Sequence, residues 1–169
     1  MAGEPDEALL RRRAARYAAR GAPEALEVAE HLCFSRGAGQ YALPLESLRE
    51  VRPRGHVARV PGASPVVAGV FQFRGELLSA HDLAGWREAG PGARSRGEWL
   101  VVVEHQGARL GLVADTVEGI ERRDAGQLGA VPVLLGERGV CFRGVLGAQR
   151  LLIEPERLFS TPAFFRAFS

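Results

Sequence analysis

The side chains with chemical reach in this sequence are few and scattered. Its four histidines, His31, His56, His81 and His105, include no pair at i,i+4 or in an H-x-H arrangement. Those are the spacings that aim two imidazoles at one metal ion from a helix or a strand. His81-Asp82 has the composition of a base and its orienting carboxylate, but neighbours on a strand point to opposite faces, so adjacency does not assemble them. Gly62-Ala63-Ser64-Pro65-Val66 begins like a nucleophile elbow. Valine, however, occupies the fifth position, where close backbone packing calls for glycine, and no strand-to-helix pattern surrounds it. Cys33 and Cys141 form no C-x-x-C pair and sit in the apolar stretches HLCF and GVCF, which reads as two small buried thiols. Gly37-Ala38-Gly39 lacks the following helix that would make an anion site and reads as a turn. No catalytic residue, metal ion or cofactor is expected.

Composition narrows the classes further. All 22 basic residues are arginine, which removes Walker-type phosphate loops, protein kinases and Schiff-base or pyridoxal enzymes, each of which needs a lysine. With 20 acids the net charge is only +2, so the drive toward nucleic acid is weak. A chain of 169 residues with 46% hydrophobic and 25% charged residues can bury a real core in one domain. No apolar run approaches the roughly 20 residues of a membrane span. The opening MAGEPDEALLRRR has acids and arginines where an export signal has its basic and apolar segments, so a cytoplasmic protein without direct membrane insertion is expected.

The elements that must position any site change period near residue 31. Residues 6–20, DEALLRRRAARYAAR, are good helix formers with a favourable Glu7–Arg11 pair, stopped by Gly21 and Pro23. Their apolar face is thin, so residues 1–30 read as a helical arm, mobile and solvated or loosely packed. Residues 31–169 read as the folded domain. Paired β-like runs flank Gly37-Ala38-Gly39, Arg74-Gly75, Gln106-Gly107 and Gly147-Ala148-Gln149, with ARLGLVADTVEGI as one of the runs. Many short strands without crossover helices indicate an all-β barrel or sandwich. EAGPGARSRG, residues 88–97, reads as a polar loop between two β-rich halves. Leu158, Phe159, Phe164, Phe165 and Phe168 close the chain as a short helical segment that caps the barrel or as an exposed docking patch.

One ordered series of motifs is more specific than these patterns. Tyr41-Ala42-Leu43-Pro44, Glu50-Val51, Pro61, Gly69-Val70, Arg74-Gly75 and Asp82-Leu83 resemble, at matching spacings, the CheW family of bacterial chemosensory coupling proteins. Gly111, Leu112, Asp115 and Val117, then Phe142, Gly144-Val145 and Leu151-Leu152, continue the likeness over about residues 31–160. The resemblance implies two interlocked five-stranded SH3-like β-barrels with a hydrophobic core between them, framed by a short N-terminal helix and a C-terminal helical segment. It implies no enzymatic activity. It also implies two partners, the cytoplasmic tip of a methyl-accepting chemoreceptor and the regulatory domain of a CheA-type histidine kinase, and a place at receptor clusters.

Partner-binding candidates follow from the matched positions. Arg74, between Phe73 and Gly75 at a strand-to-strand turn, has a fork suited to a receptor carboxylate, or else forms an ion pair within the barrel toward Asp82 or Glu76. Gly69 and Gly75 meet backbone needs or touch a partner. Val51 and Val70 line the core or a groove, Glu50 is a partner-binding candidate, and Asp115 is a turn or strand-end residue or an interface group. Gln72-Phe73 replaces the family's Asn-Leu, Ser79 its proline, and His81 an aliphatic residue, which points to a divergent member, an accessory protein binding one partner included. Two other classes compete: an arginine-rich barrel that binds nucleic acid, and a hydrolase with an unrecognised site, against which a double mutation of His81 and Ser64 is expected to leave function unchanged.

Overall fold

The computed structural model describes residue 11 and residues 28–88, 96–124 and 126–162. The helix expected over residues 6–20 lies outside these apart from Arg11, as do most of the 88–97 loop and Phe164, Phe165 and Phe168.

Among the described residues eleven strands build two sheets. The larger has the order β8-β1-β2-β11-β10-β9, with β1 Val28–Arg36, β2 Gly39–Pro44, β8 Thr116–Asp124, β9 Leu128–Gly129, β10 Phe142–Leu146 and β11 Arg150–Ile153. The smaller has the order β3-β6-β7-β5-β4, with β3 Leu48–Pro53, β4 Val67–Phe73, β5 Glu76–His81, β6 Trp99–His105 and β7 Ala108–Ala114. The all-β expectation therefore holds at the level of class. Where the resemblance implied five strands in each half, the described residues form sheets of six and five, and neither is closed by a hydrogen-bonded ladder.

All four hairpins fall where the glycines put them. At the β4–β5 and β6–β7 turns, Arg74 and Gln106 take φ of 47° and 50°, and Gly75 and Gly107 follow at 83° and 81°. Positive φ at both central residues is the type I′ geometry, whose twist matches that of the flanking strands. β1 begins three residues before the change of period at residue 31, because Val28, Ala29 and Glu30 pair with Asp124, Arg123 and Arg122 of β8. The run ARLGLVADTVEGI is not one strand. It breaks at Asp115, whose amide donates to the Ser35 carbonyl at 2.7 Å, and β7 and β8 go to different sheets.

The main core lies between the sheets. Leu32, Phe34, Tyr41 and Leu43 of the larger sheet meet Val101, Val103, Leu110 and Leu112 of the smaller. The Tyr41 ring is stacked between Phe34 and Phe142, with centroids 5.5 and 6.0 Å away. A second cluster, around Phe71, Phe73, Leu100 and Val113, fills the far side of the smaller sheet, so β6 and β7 are buried on both faces and read as continuous apolar runs. Cys33, Ala42, Leu146 and Leu152 do the same for the larger sheet.

Among the described residues from 28 onward, the short helices α1 Leu83–Glu88 and α2 Pro155–Ser160 complete the frame. Leu158 of α2 is fully buried in the main core and Phe159 stacks on His105, while the other three aromatics of this segment lie outside the described residues. α1 was not legible in advance; Asp82 starts it by accepting from the Ala84 amide at 3.0 Å. Trp86 of α1 donates its indole N–H to the Arg138 carbonyl at 2.9 Å, which ties α1 to the 3-10 segment Val133–Cys141.

Candidate interaction surface

Candidate residues from β3, β4 and the β4–β5 turn come together where the smaller sheet curls. Outward on the β4–β5 hairpin lie two successive cross-strand pairs, Val70 with Ser79 and Gln72 with Leu77. Residues two apart share a face, so these four side chains form one patch ending at the turn. Leu77 is 73% exposed, a large apolar side chain left in solvent beside the turn. Arg74 stands on that turn, its guanidinium 5.2 Å from the Phe73 ring centroid. The ion pairs weighed for Arg74 from sequence are absent among the described residues: Asp82 is engaged by Arg36 and Glu76 by Arg109.

The other candidates have different surroundings. Phe73 is 1% exposed, with its ring in the smaller sheet's own core, so it supports the turn from below. Gly69 has φ of 150°, and a Cβ there would collide with the Ala58 carbonyl. That approach is required because Ala58 and Val70 exchange backbone hydrogen bonds of 2.8 and 2.9 Å, covering the β4 edge. Gly75 meets nothing and serves the left-handed turn position. Val51 packs against the main core. Glu50 shares a β3 face with Arg52, and Arg52 reaches across to donate to the Gln72 carbonyl at 3.2 Å. Residues of the two edge strands thus approach one another without a ladder between them.

Asp115 lies in a separate arrangement that sequence reasoning missed. Arg36, only 4% exposed at the end of β1, donates Nε and Nη2 to the two carboxylate oxygens of Asp82 at 3.0 and 2.7 Å. It also donates Nη1 to Asp115 at 2.8 Å, and the Gly37 amide donates to the other Asp115 oxygen at 2.7 Å. Burial works against the Arg36 charge, but hydrogen bonds and charges from Asp82, then Asp115, outweigh it and hold the guanidinium above the usual arginine range. The two aspartates singled out from the motif series are thereby joined through one cation that binds β1 to the end of β5 and to the β7–β8 junction.

No group of three or more metal-ligating side chains occurs among the described residues, and no described helix is long and apolar enough to cross a membrane. The Ser64 hydroxyl and the His81 ring lie in different settings: Ser64 lines a loop cavity, and His81 Nε2 is 2.8 Å from the Ser79 hydroxyl. A further apolar surface was also missed. Val133 is almost wholly exposed and Leu134 entirely so, on the outer side of the 3-10 segment.

A family model described as the CheW-like domain matches residues 30–161. The chain belongs to the CheW-like domain family. In this CheW-like domain the match covers every strand except the first two residues of β1. Among curated proteins it is similar to Protein PilI of Pseudomonas aeruginosa, 32% identical over 100 residues, which is 58% of this chain and 55% of PilI. The chain thus matches little more than half the length of that relative. Among solved structures it is similar to the scaffolding protein TtCheW of Thermoanaerobacter tengcongensis, with a TM-score of 0.67 and 20% identity over 80% of this chain and 94% of that one. At that identity the likeness speaks for the CheW-like fold.

Proposed function

We propose that this CheW-like protein is a non-enzymatic adaptor that couples the cytoplasmic tip of a methyl-accepting chemoreceptor to the regulatory domain of a CheA-type histidine kinase, in the cytoplasm at receptor clusters. Family membership over residues 30–161 supports the adaptor class. The observation that carries the reading to a surface is the β4–β5 hairpin: Arg74 at its tip has no ion pair among the described residues and stands beside the exposed Leu77. A charged fork next to an apolar side chain is suited to a helical partner that offers a carboxylate beside an apolar stripe. We take each sheet, with its own inner cluster, as the counterpart of one SH3-like barrel.

A second reading is favoured by Gln72 and Ser79, which depart from the family pattern and lie in this same outward patch. In that reading the protein is an accessory member that binds only one of the two partners. Calorimetry of the purified chain against a receptor tip and, separately, a kinase regulatory domain from the same organism tests both. Binding to both supports the adaptor, binding to one supports the accessory reading, and binding to neither removes the coupling role. Binding to poly-U that is lost steeply as salt rises would instead point to nucleic acid.

A further inference from the structure

Between β3 and β4 the chain forms a loop whose inner side, with Gly85 and Arg96, bounds a cavity of about 580 Å³. Small-molecule sites span about 300–1,000 Å³, so the space fits a ligand of that class. Val57, Pro65 and Val67 make part of the wall apolar, while four arginines, Arg36, Arg54, Arg59 and Arg96, line the same space together with Asp82. Asp82, the carboxylate among the lining residues, is paired with Arg36. Arg54, Arg59 and Arg96 have no ion pair among the described residues.

Two polar atoms of the lining are buried without a hydrogen-bond partner among the described residues, Arg54 Nε and the Ser64 hydroxyl. Leaving such groups unmet is costly, and native proteins keep few of them. Arg54 also donates Nη1 to the Arg96 carbonyl, which fixes its fork at the wall. Burial first, then the neighbouring charges of Arg96 and Arg36, push its pKa below the usual range, against a smaller opposing pull from Asp82. An anion with several acceptor oxygens meets all these needs together, and a tetrahedral oxyanion serves the guanidinium fork and a hydroxyl donor at once.

We infer that the cavity between the β3–β4 loop, Asp82 and Arg96 binds a small phosphate-bearing molecule, its phosphate held by Arg54, Ser64 and the rim arginines and its body resting on Val57, Pro65 and Val67. The inference stands apart from the coupling role and survives its failure. Calorimetry of the full chain with pyrophosphate and with AMP, at about 0.15 M salt to screen exposed charge, tests it. Saturable one-site binding of either probe is expected, weakened at least about tenfold by Arg54→Gln and severalfold by Ser64→Ala. Arg122→Gln, on the exposed face of β8, leaves binding unchanged. The inference is overturned by the absence of saturable binding up to about 10 mM of both probes, or by equal loss in Arg122→Gln. Wild-type affinity in a normally melting Ser64→Ala and Arg54→Gln pair overturns it too. Should Arg54→Gln fail to fold, Ser64→Ala alone decides.

Discussion

Arg36 and Asp82 meet through two parallel hydrogen bonds, 3.0 Å from Nε to Oδ1 and 2.7 Å from Nη2 to Oδ2, in a setting almost closed to solvent. The same aspartate caps α1, so one carboxylate fixes the end of β1, the end of β5 and the start of a helix. Replacing Asp82 with Asn removes the carboxylate charge and turns one of the two acceptors facing the buried guanidinium into a donor. A loss of about 3 kcal/mol or more in unfolding free energy is expected, since removing one member of a buried pair strands the other. Asp115→Asn, which removes one bond at a more exposed carboxylate, should cost less. Because the folded protein raises the Arg36 pKa, this stabilisation is fully present below the ordinary arginine range and fades only as pH rises through the raised value. Urea midpoints at neutral pH measure both variants, and an Asp82→Asn midpoint equal to wild type would contradict the expected role.

His31 gives the fold an acid sensitivity. Burial, joined by the positive charge of Arg143 and opposed by a backbone hydrogen bond at Ala29, lowers its pKa. The unfolded chain therefore takes up a proton near the ordinary histidine value of about 6.5 while the folded chain resists it. Stability should be level above that pH and fall as pH drops below it. Melting temperatures at neutral and mildly acid pH check this, and His31→Leu should flatten the difference.

Gly69 and Gly75 both have positive φ, yet their substitutions should differ. An alanine at Gly69 drives Cβ into the Ala58 carbonyl and breaks the cover of the β4 edge, so a cost of about 2 kcal/mol or more is expected. At Gly75 the space is open and only the left-handed backbone is strained, for about 1 kcal/mol. Equal chemical-denaturation midpoints for the two variants would mean that the Ala58 contact does not constrain the sheet.

Arg74→Glu should weaken receptor-tip binding by more than about 1.4 kcal/mol, a tenfold loss, and Leu77→Asp should do likewise. Both side chains stand out from the fold, so melting should change little. A collapse in melting with unchanged affinity of the folded fraction would make Arg74 a structural residue held by its contact with Phe73.

The two thiols should be inert in the folded protein. Burial raises Cys33, and at Cys141 it pushes the pKa up to about 11 against a weak opposing contact with Thr161. A disulfide reagent at mildly alkaline pH should label neither until denaturant is added, because the thiolate is the reacting form.

The hairpins were readable because each rests on local signals: an Arg-Gly or Gln-Gly pair between alternating runs fixes turn and register together. Arg74 and Gly75 were therefore placed at a turn from sequence. Phe73 beside them was harder, since only the two-residue register shows which neighbour faces inward; counted from that turn, Leu77 also falls outside and Leu78 inside. The Arg36 network had no such local signature. Its members come from positions 36, 82 and 115, and only the fold brings them together. Breaks set by distant partners, such as the split of β7 from β8 at Asp115, were equally invisible.

The larger sheet seats β11 beside β2 in parallel register, Leu151 against Tyr41 and Leu152 against Ala42. The β1–β2 hairpin thus shares its central ladder with a strand that leaves the ribosome more than a hundred residues after it. During synthesis β1 and β2 must wait with an apolar edge uncovered while more than a hundred residues follow. Such a long-range closure makes late folding slow relative to local pairing and leaves the nascent chain dependent on protection from aggregation until β11 arrives.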